Sequence, residues 1–143
     1  MKTRRILFLC TGNSCRSHMG EGLLRNLAGR RYEALSAGAK PAGYVHPVAQ
    51  AVMEEIGINL SDHTSKDVRE FLPPDGDPPD VIVSVCDHAS RDCPVFPGVR
   101  SVQWPLEDPA KIEDEKAQIV CARKVRDELK SRLEAALESN EFD

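Results

Sequence analysis

Apolar residues recur along the chain in two spacings, and the alternation between them predicts the fold. Arg5 to Leu9 (RILFL) is a short apolar run that stops at polar TGNS, the pattern of a fully buried strand. From Ser17 onward Met19, Leu23, Leu24 and Leu27 follow helical spacing, and Gly29 supplies a stop. YEALSAG, Tyr32 to Gly38, reads as a second strand. Pro47 opens a helix with Ala49, Val52, Met53 and Ile56 on one face, closed by Gly57. Thr64 and Ser65 are expected to cap a further short helix. FLPPDGDPPD, Phe71 to Asp80, carries four prolines without periodicity and reads as a surface connection. VIVSV, Val81 to Val85, is a continuous β-branched strand ending at Cys86, and VRSVQW, Val99 to Trp104, is a fourth strand. After Asp108 and Pro109 a long helix aligns Ile119, Ala122, Val125, Leu129, Leu133 and Leu137 beside a solvated charged face. Strands alternating with helices imply a four-stranded parallel sheet with helices on both faces.

Composition bounds this picture. With 143 residues, 41% of them hydrophobic and 29% charged, the chain fills one domain, residues 1–143. A formal net charge of -4 leaves no excess of Lys and Arg for a phosphate backbone, so a general nucleic-acid binder is excluded. The basic start and apolar run of MKTRRILFLC are not expected to act as a secretion signal. Ile6 to Leu9 is only four residues long, against the roughly 7–15 such a segment needs. No apolar run approaches the ~20 residues of a membrane span. A cytoplasmic protein is expected. In a reducing compartment the five cysteines, Cys10, Cys15, Cys86, Cys93 and Cys121, point to catalysis, transient redox chemistry, metal binding or packing rather than permanent disulfides.

The strand–loop–helix opening carries the clearest chemistry. Ligands of open parallel sheets sit beyond the carboxyl ends of the strands, where a turn entering a helix offers free N–H groups to anions. Cys10 ends the first strand and Arg16 starts the helix six residues later, a Cys-x5-Arg arrangement. A loop of that length lets the amides of Thr11, Gly12, Asn13, Ser14, Cys15 and Arg16 converge on one tetrahedral oxyanion, while Arg16 presents a planar fork to two of its oxygens. The same field favours the thiolate of Cys10, the attacking species, and Ser17 is placed to hydrogen-bond it. Gly12 and Asn13 tolerate the dihedrals a tight cradle needs.

CTGNSCRS, with Asp108 and Pro109 late in the chain, resembles the low-molecular-weight protein tyrosine phosphatase superfamily over essentially the whole domain. The resemblance implies a flavodoxin-like α/β fold of three layers, with Cys10 as nucleophile and Asp108 as general acid. Within that superfamily VCDHASRDCPVFPG, which sets Cys86 and Cys93 seven residues apart after a core strand, is similar to the redox pair of thioredoxin-coupled arsenate reductases. EDPA (Glu107 to Ala110), KVRDEL (Lys124 to Leu129) and HPVAQAVMEEIGINLSDHTS resemble the same branch. A phosphatase would usually place an aromatic residue where Ala110 stands. The implied reaction is reduction of arsenate to arsenite: Cys10 attacks arsenic, Cys86 attacks Cys10, and Cys93 closes a Cys86–Cys93 disulfide that thioredoxin reduces. No tightly bound cofactor and no metal is expected, and a monomer is. Glutaredoxin- or mycothiol-type reductants are the alternatives to thioredoxin.

Rival readings are a phosphatase of phosphotyrosine or small phosphoesters acting through Cys10 and Asp108, and a non-enzymatic anion- or metal-sensing module. Cys86, His88 and Cys93 offer three soft ligands but lack a tight knuckle spacing and a fourth partner. A cysteine–histidine hydrolase would need His18 beside Cys10, but the cradle already accounts for the thiolate. Cys15 is a loop position able to form a protective disulfide with Cys10, Cys121 packs, and His46 and His63 read as loop or helix-start residues. Some reductases of this type bind potassium through positions matching Asn13, Glu21, Ser36 and a carboxylate after the Thr-Ser turn. Lys66 holds that last place, so its ammonium is expected to stand in for the ion.

Overall fold

Strands β1 (Arg4–Cys10), β2 (Tyr32–Gly38), β3 (Val81–Ser84) and β4 (Arg100–Gln103) form one parallel sheet in the order β2-β1-β3-β4. They belong to a computed structural model that describes residues 3–74, 76–86 and 98–143. Cys10 pairs with Gly38, and Leu9 pairs with Ala37 on one side and Ser84 on the other. The carboxyl ends of the two central strands therefore share one sheet edge. The expected flavodoxin-like α/β architecture is the observed one.

Strand alternation divides the core. Ile6 and Phe8 of β1 join Val81 and Val83 of β3 in a large cluster. Helices α1 (Arg16–Ala28), α2 (Pro47–Glu54) and α3 (Glu115–Glu138) cover that face with Met19, Val52 and Leu129 among others. Leu7, Leu9 and Ile82 point the other way and pack under Val68 and Phe71, which belong to a 3₁₀ turn, Val68–Phe71. The layers are thus unequal, with the three α-helices on one face and the 3₁₀ turn on the other. On α3, Ala122, Val125, Leu129 and Leu133 are buried, while Ile119 and Leu137 flank them.

Local signals explain most boundaries. Pro47 stands at the first position of α2 and His46 caps it, its Nδ1 accepting from the Val48 amide. Gly57 follows with φ +79°, a left-handed conformation that favours glycine. The short helix expected after Thr64 and Ser65 begins later. Asp67 caps the 3₁₀ turn in a reciprocal capping box with Glu70. Thr64 to Lys66 are instead drawn to the opening loop: Ser65 Oγ donates to the Gly12 carbonyl and the Lys66 amide to Asn13 Oδ1. Likewise α3 starts at Glu115 under Asp114, because Asp108 and Pro109 form a separate turn, Pro109–Lys111.

Two contacts yield stability predictions. A Cβ on Gly20 would lie 2.4 Å from Phe8 Cδ1, so helix and strand approach closely here. Gly20→Ala is expected to destabilise by about 1–3 kcal/mol in urea unfolding, overpacking outweighing the ~1 kcal/mol helix preference for alanine. A gain in stability would contradict that packing. Glu55, at the end of α2, accepts hydrogen bonds from Arg123 and Arg126 of α3, which hold its carboxyl down at about 2 against an ordinary 4.5. Because the folded value is depressed, the stabilisation is present above pH 4.5 and lost as pH falls toward 2. Thermal unfolding of wild type and Glu55→Gln should differ at pH 7 and converge near pH 2. A gap that persists at low pH would contradict this linkage.

Candidate active site

The opening loop is held by its carbonyls. That of Cys10 accepts from the Ala39 amide, Thr11 from Lys40, Gly12 from Ala42, and Ser14 from His46. The Asn13 carbonyl lies 2.9 Å from His18 Nε2. In a trans peptide the N–H points opposite to the C=O, so amides from Thr11 to Cys15 turn toward the inside of the curl. The N-cap of α1 is Cys15, which makes no side-chain capping bond, so the helix entrance adds its own amides to the same concavity. Gly38 makes this folding possible. A Cβ there would lie 2.7 Å from the Thr11 carbonyl and 2.8 Å from the Asn13 amide nitrogen.

Asn13 fixes the loop from behind. It adopts φ +44°, in the left-handed region that asparagine enters more readily than most residues. Its Nδ2 donates to Ser17 Oγ at 2.7 Å, and its Oδ1 accepts from the Lys66 amide at 2.6 Å. Ser17 Oγ lies 2.9 Å from Cys10 Sγ. Accepting from Asn13 leaves the hydroxyl its own hydrogen, which a thiolate at Cys10, able only to accept, would take.

Arg16, Asp108 and Cys86 meet this loop. Arg16 is 2% exposed; Nη1 donates to the carbonyls of Val85 and Leu106, and Nη2 pairs with Asp108 Oδ2 at 3.3 Å. Its Nε is buried without a hydrogen-bond partner among the described residues, a donor suited to an oxyanion. Asp108 caps its turn through Oδ1, which accepts from the Ala110 amide, and so presents Oδ2 toward Arg16. Thr11 Oγ1 lies 4.0 Å from Cys86 Sγ, and that sulfur is 3.8 Å from the Leu9 carbonyl. Cys10 and Cys86 therefore stand at neighbouring strand ends, bridged by the first loop residue. Cys93 and His88 lie outside the described residues.

At Cys15 and Cys121 the surroundings disfavour the thiolate. Burial first, and then the Asp108 carboxylate, push the Cys15 thiol far above its usual range. Burial pushes the Cys121 thiol up to about 11, assisted by Glu107. Among the described residues Cys10, Cys15, Cys86 and Cys121 form no disulfide. Behind the loop, Glu21 accepts from Ser36 Oγ at 2.5 Å and pairs with Arg25 at 2.7 Å. The ammonium of Lys66 bonds the Thr64 carbonyl, while its charge interacts with Glu21. The cation in contact with Glu21 is thus Arg25. His63 faces His18, their Nδ1 atoms 3.1 Å apart. Sequence reasoning missed Arg25 and His63 here, since both lie outside the loop motif. Gly38, by contrast, carried a signal as a glycine at a strand end. Among the described residues no helix is long and apolar enough to cross a membrane.

The chain is similar to known proteins in sequence and in fold. An arsenate reductase of Halalkalibacterium halodurans is 40% identical over 142 residues, covering 97% of this chain and 99% of its own. A solved arsenate reductase in the phosphate binding state superimposes with a TM-score of 0.73 at 31% identity, over 96% of this chain and 98% of that one. The thioredoxin-dependent arsenate reductase of Corynebacterium glutamicum gives a TM-score of 0.70 at 26% identity, over 96% of this chain and 61% of that one. The family profile of low molecular weight phosphotyrosine protein phosphatases matches residues 5–141. With the opening loop, Arg16 and Asp108 converging as described, the chain belongs to the low molecular weight phosphotyrosine protein phosphatase family.

Proposed function

We propose that this chain is an arsenate reductase that reduces arsenate to arsenite through Cys10, Cys86 and Cys93 and is recharged by thioredoxin. The observation that carries the reading is Cys86, placed against Thr11 at the strand end beside Cys10. A phosphate-ester hydrolase needs the first thiol only, and the naming of the relatives above supports the reductase.

Arsenate, a tetrahedral mimic of phosphate, sits in the amide cradle with Arg16 across two oxygens. The Cys10 thiolate attacks arsenic(V); a sulfur–arsenic bond forms while one oxygen leaves as water, protonated by Asp108. The Cys86 thiolate then attacks Cys10 Sγ. The electron pair of the sulfur–arsenic bond passes to arsenic, which departs as arsenite, and a Cys10–Cys86 disulfide remains. Cys93 attacks Cys86, freeing Cys10, and the resulting Cys86–Cys93 disulfide accepts two electrons from the dithiol of thioredoxin. A reducing, cytoplasmic setting suits a relay of thiols, and the chain is read as a monomer.

Arsenite production with thioredoxin, its reductase and NADPH should continue through many turnovers in wild type and stop in Cys86→Ser and Cys93→Ser. Both variants should keep the weak hydrolysis of an aryl phosphate that the loop supports by itself, and Cys10→Ser should lose both activities. Reductase turnover equal to wild type in the two relay variants would overturn the reading in favour of the phosphatase. Because Arg25 and Lys66 already face Glu21, replacing sodium by potassium chloride should leave the arsenate reduction rate unchanged. Strong activation by potassium would contradict this assignment of the counter-charge.

A further inference from the structure

Behind the anion loop, on the side away from Cys10, two imidazoles and a carboxylate converge where the proposed reaction uses none of them as ligands. His18 and Glu21 lie one helical turn apart on α1, and His63 comes from the turn after α2. One ligand atom from each lies within 4.8 Å of the others. The Asn13 carbonyl can only accept, so His18 Nε2, 2.9 Å away, carries the ring proton and His18 Nδ1 is a bare lone pair. The facing His63 Nδ1 must then donate across 3.1 Å, which leaves His63 Nε2 bare to accept from Arg25 Nη1 at 3.3 Å.

We propose that His18, Glu21 and His63 form a binding site for one divalent d-block cation of the zinc, cobalt or nickel class. Two nitrogens on one tetrahedral zinc, each at 2.0–2.1 Å, stand about 3.3–3.4 Å apart. The Nδ1 atoms of the two histidines already have nearly that spacing. The outer partners are also of the kind that orient metal ligands: His18 donates its other N–H to a backbone carbonyl, and Ser36 Oγ donates to Glu21 Oε1. His63 joins by exchanging tautomers, its proton moving from Nδ1 to Nε2. A cleft of about 310 Å³ lined by Gly22, Arg25, Asn26, Ile58 and His63 provides the entry path.

Arg25 and Lys66 are the charges that oppose a cation here. The Arg25 side chain is 53% exposed, and when Glu21 and His63 turn to the metal it keeps only the Ala34 carbonyl and swings toward solvent. Potassium gains little from imidazole nitrogen and does not displace these cations, whereas d-block ions bind imidazole strongly. Bound metal draws electron density from the His18 ring and strengthens its donation to Asn13, so occupancy stiffens the loop from the rear.

Titration of the reduced full-length chain with Co²⁺ and Zn²⁺ tests the site. One equivalent should bind, the cobalt spectrum should lack thiolate charge transfer, and the imidazole nitrogens of His18 and His63 should shift together by NMR. His63→Gln should weaken binding by about tenfold or more. Cys86→Ser should leave it unchanged, and Arg25→Gln should tighten it. Thermal unfolding of each variant separates ligand loss from misfolding. Absence of stoichiometric binding, retention in a folded His63→Gln chain, or loss in Cys86→Ser with a thiolate band in wild type would each overturn the proposal.

Discussion

The side chain of Asn13 is the interaction on which the site depends. From one left-handed residue it reaches forward to Ser17, which faces the Cys10 sulfur, and sideways to the Lys66 backbone, while its carbonyl is bound by His18. A loop of amides all turned inward repels itself electrostatically and is unfavourable without such external restraint. Here the restraint comes from backbone and side chains of three separate segments. The loop is therefore organised before any anion arrives, which is the condition for electrostatic stabilisation without reorganisation.

That preorganised loop decides little about the reaction. Amides, Arg16 and a thiolate accept any tetrahedral oxyanion of suitable size, and phosphate and arsenate share that geometry. Chemistry diverges one strand away. The parallel register that sets Leu9 beside Ser84 also carries Cys86 to the edge where Cys10 ends. An attacking second thiol converts a thiol–oxyanion adduct from something hydrolysed into something reduced. The sheet is thus part of the mechanism, because register alone brings the two thiols to one edge.

Much of this was legible in the sequence where the signal is local. RILFL, YEALSAG and VIVSV declared strands through continuous apolar or β-branched runs, and Pro47 and Gly57 bracketed a helix by backbone restriction. That Cys10, Arg16 and Ser17 gather on one loop was legible because the loop is contiguous, whereas Asp108, 92 residues from Arg16, was marked only by the family resemblance. Thr64 and Ser65 misled: they have capping chemistry, yet the demand of the loop carbonyls and of Asn13 outcompeted a helix start, which passed to Asp67. His63 was silent for a different reason. A histidine in a polar turn gives no sign of its partner 45 residues away, and only the packing of that turn on α1 brings the two rings together.

In the proposed relay one chain holds the two electrons needed for one arsenate. The direct measurement is a single-turnover assay: fully reduced chain mixed with excess arsenate without thioredoxin, arsenite counted, and disulfides mapped by mass spectrometry. One arsenite per chain is expected, with the disulfide joining Cys86 to Cys93 and Cys10 returned to its thiol. No arsenite, or arsenite formed with Cys86 and Cys93 still reduced, would contradict it.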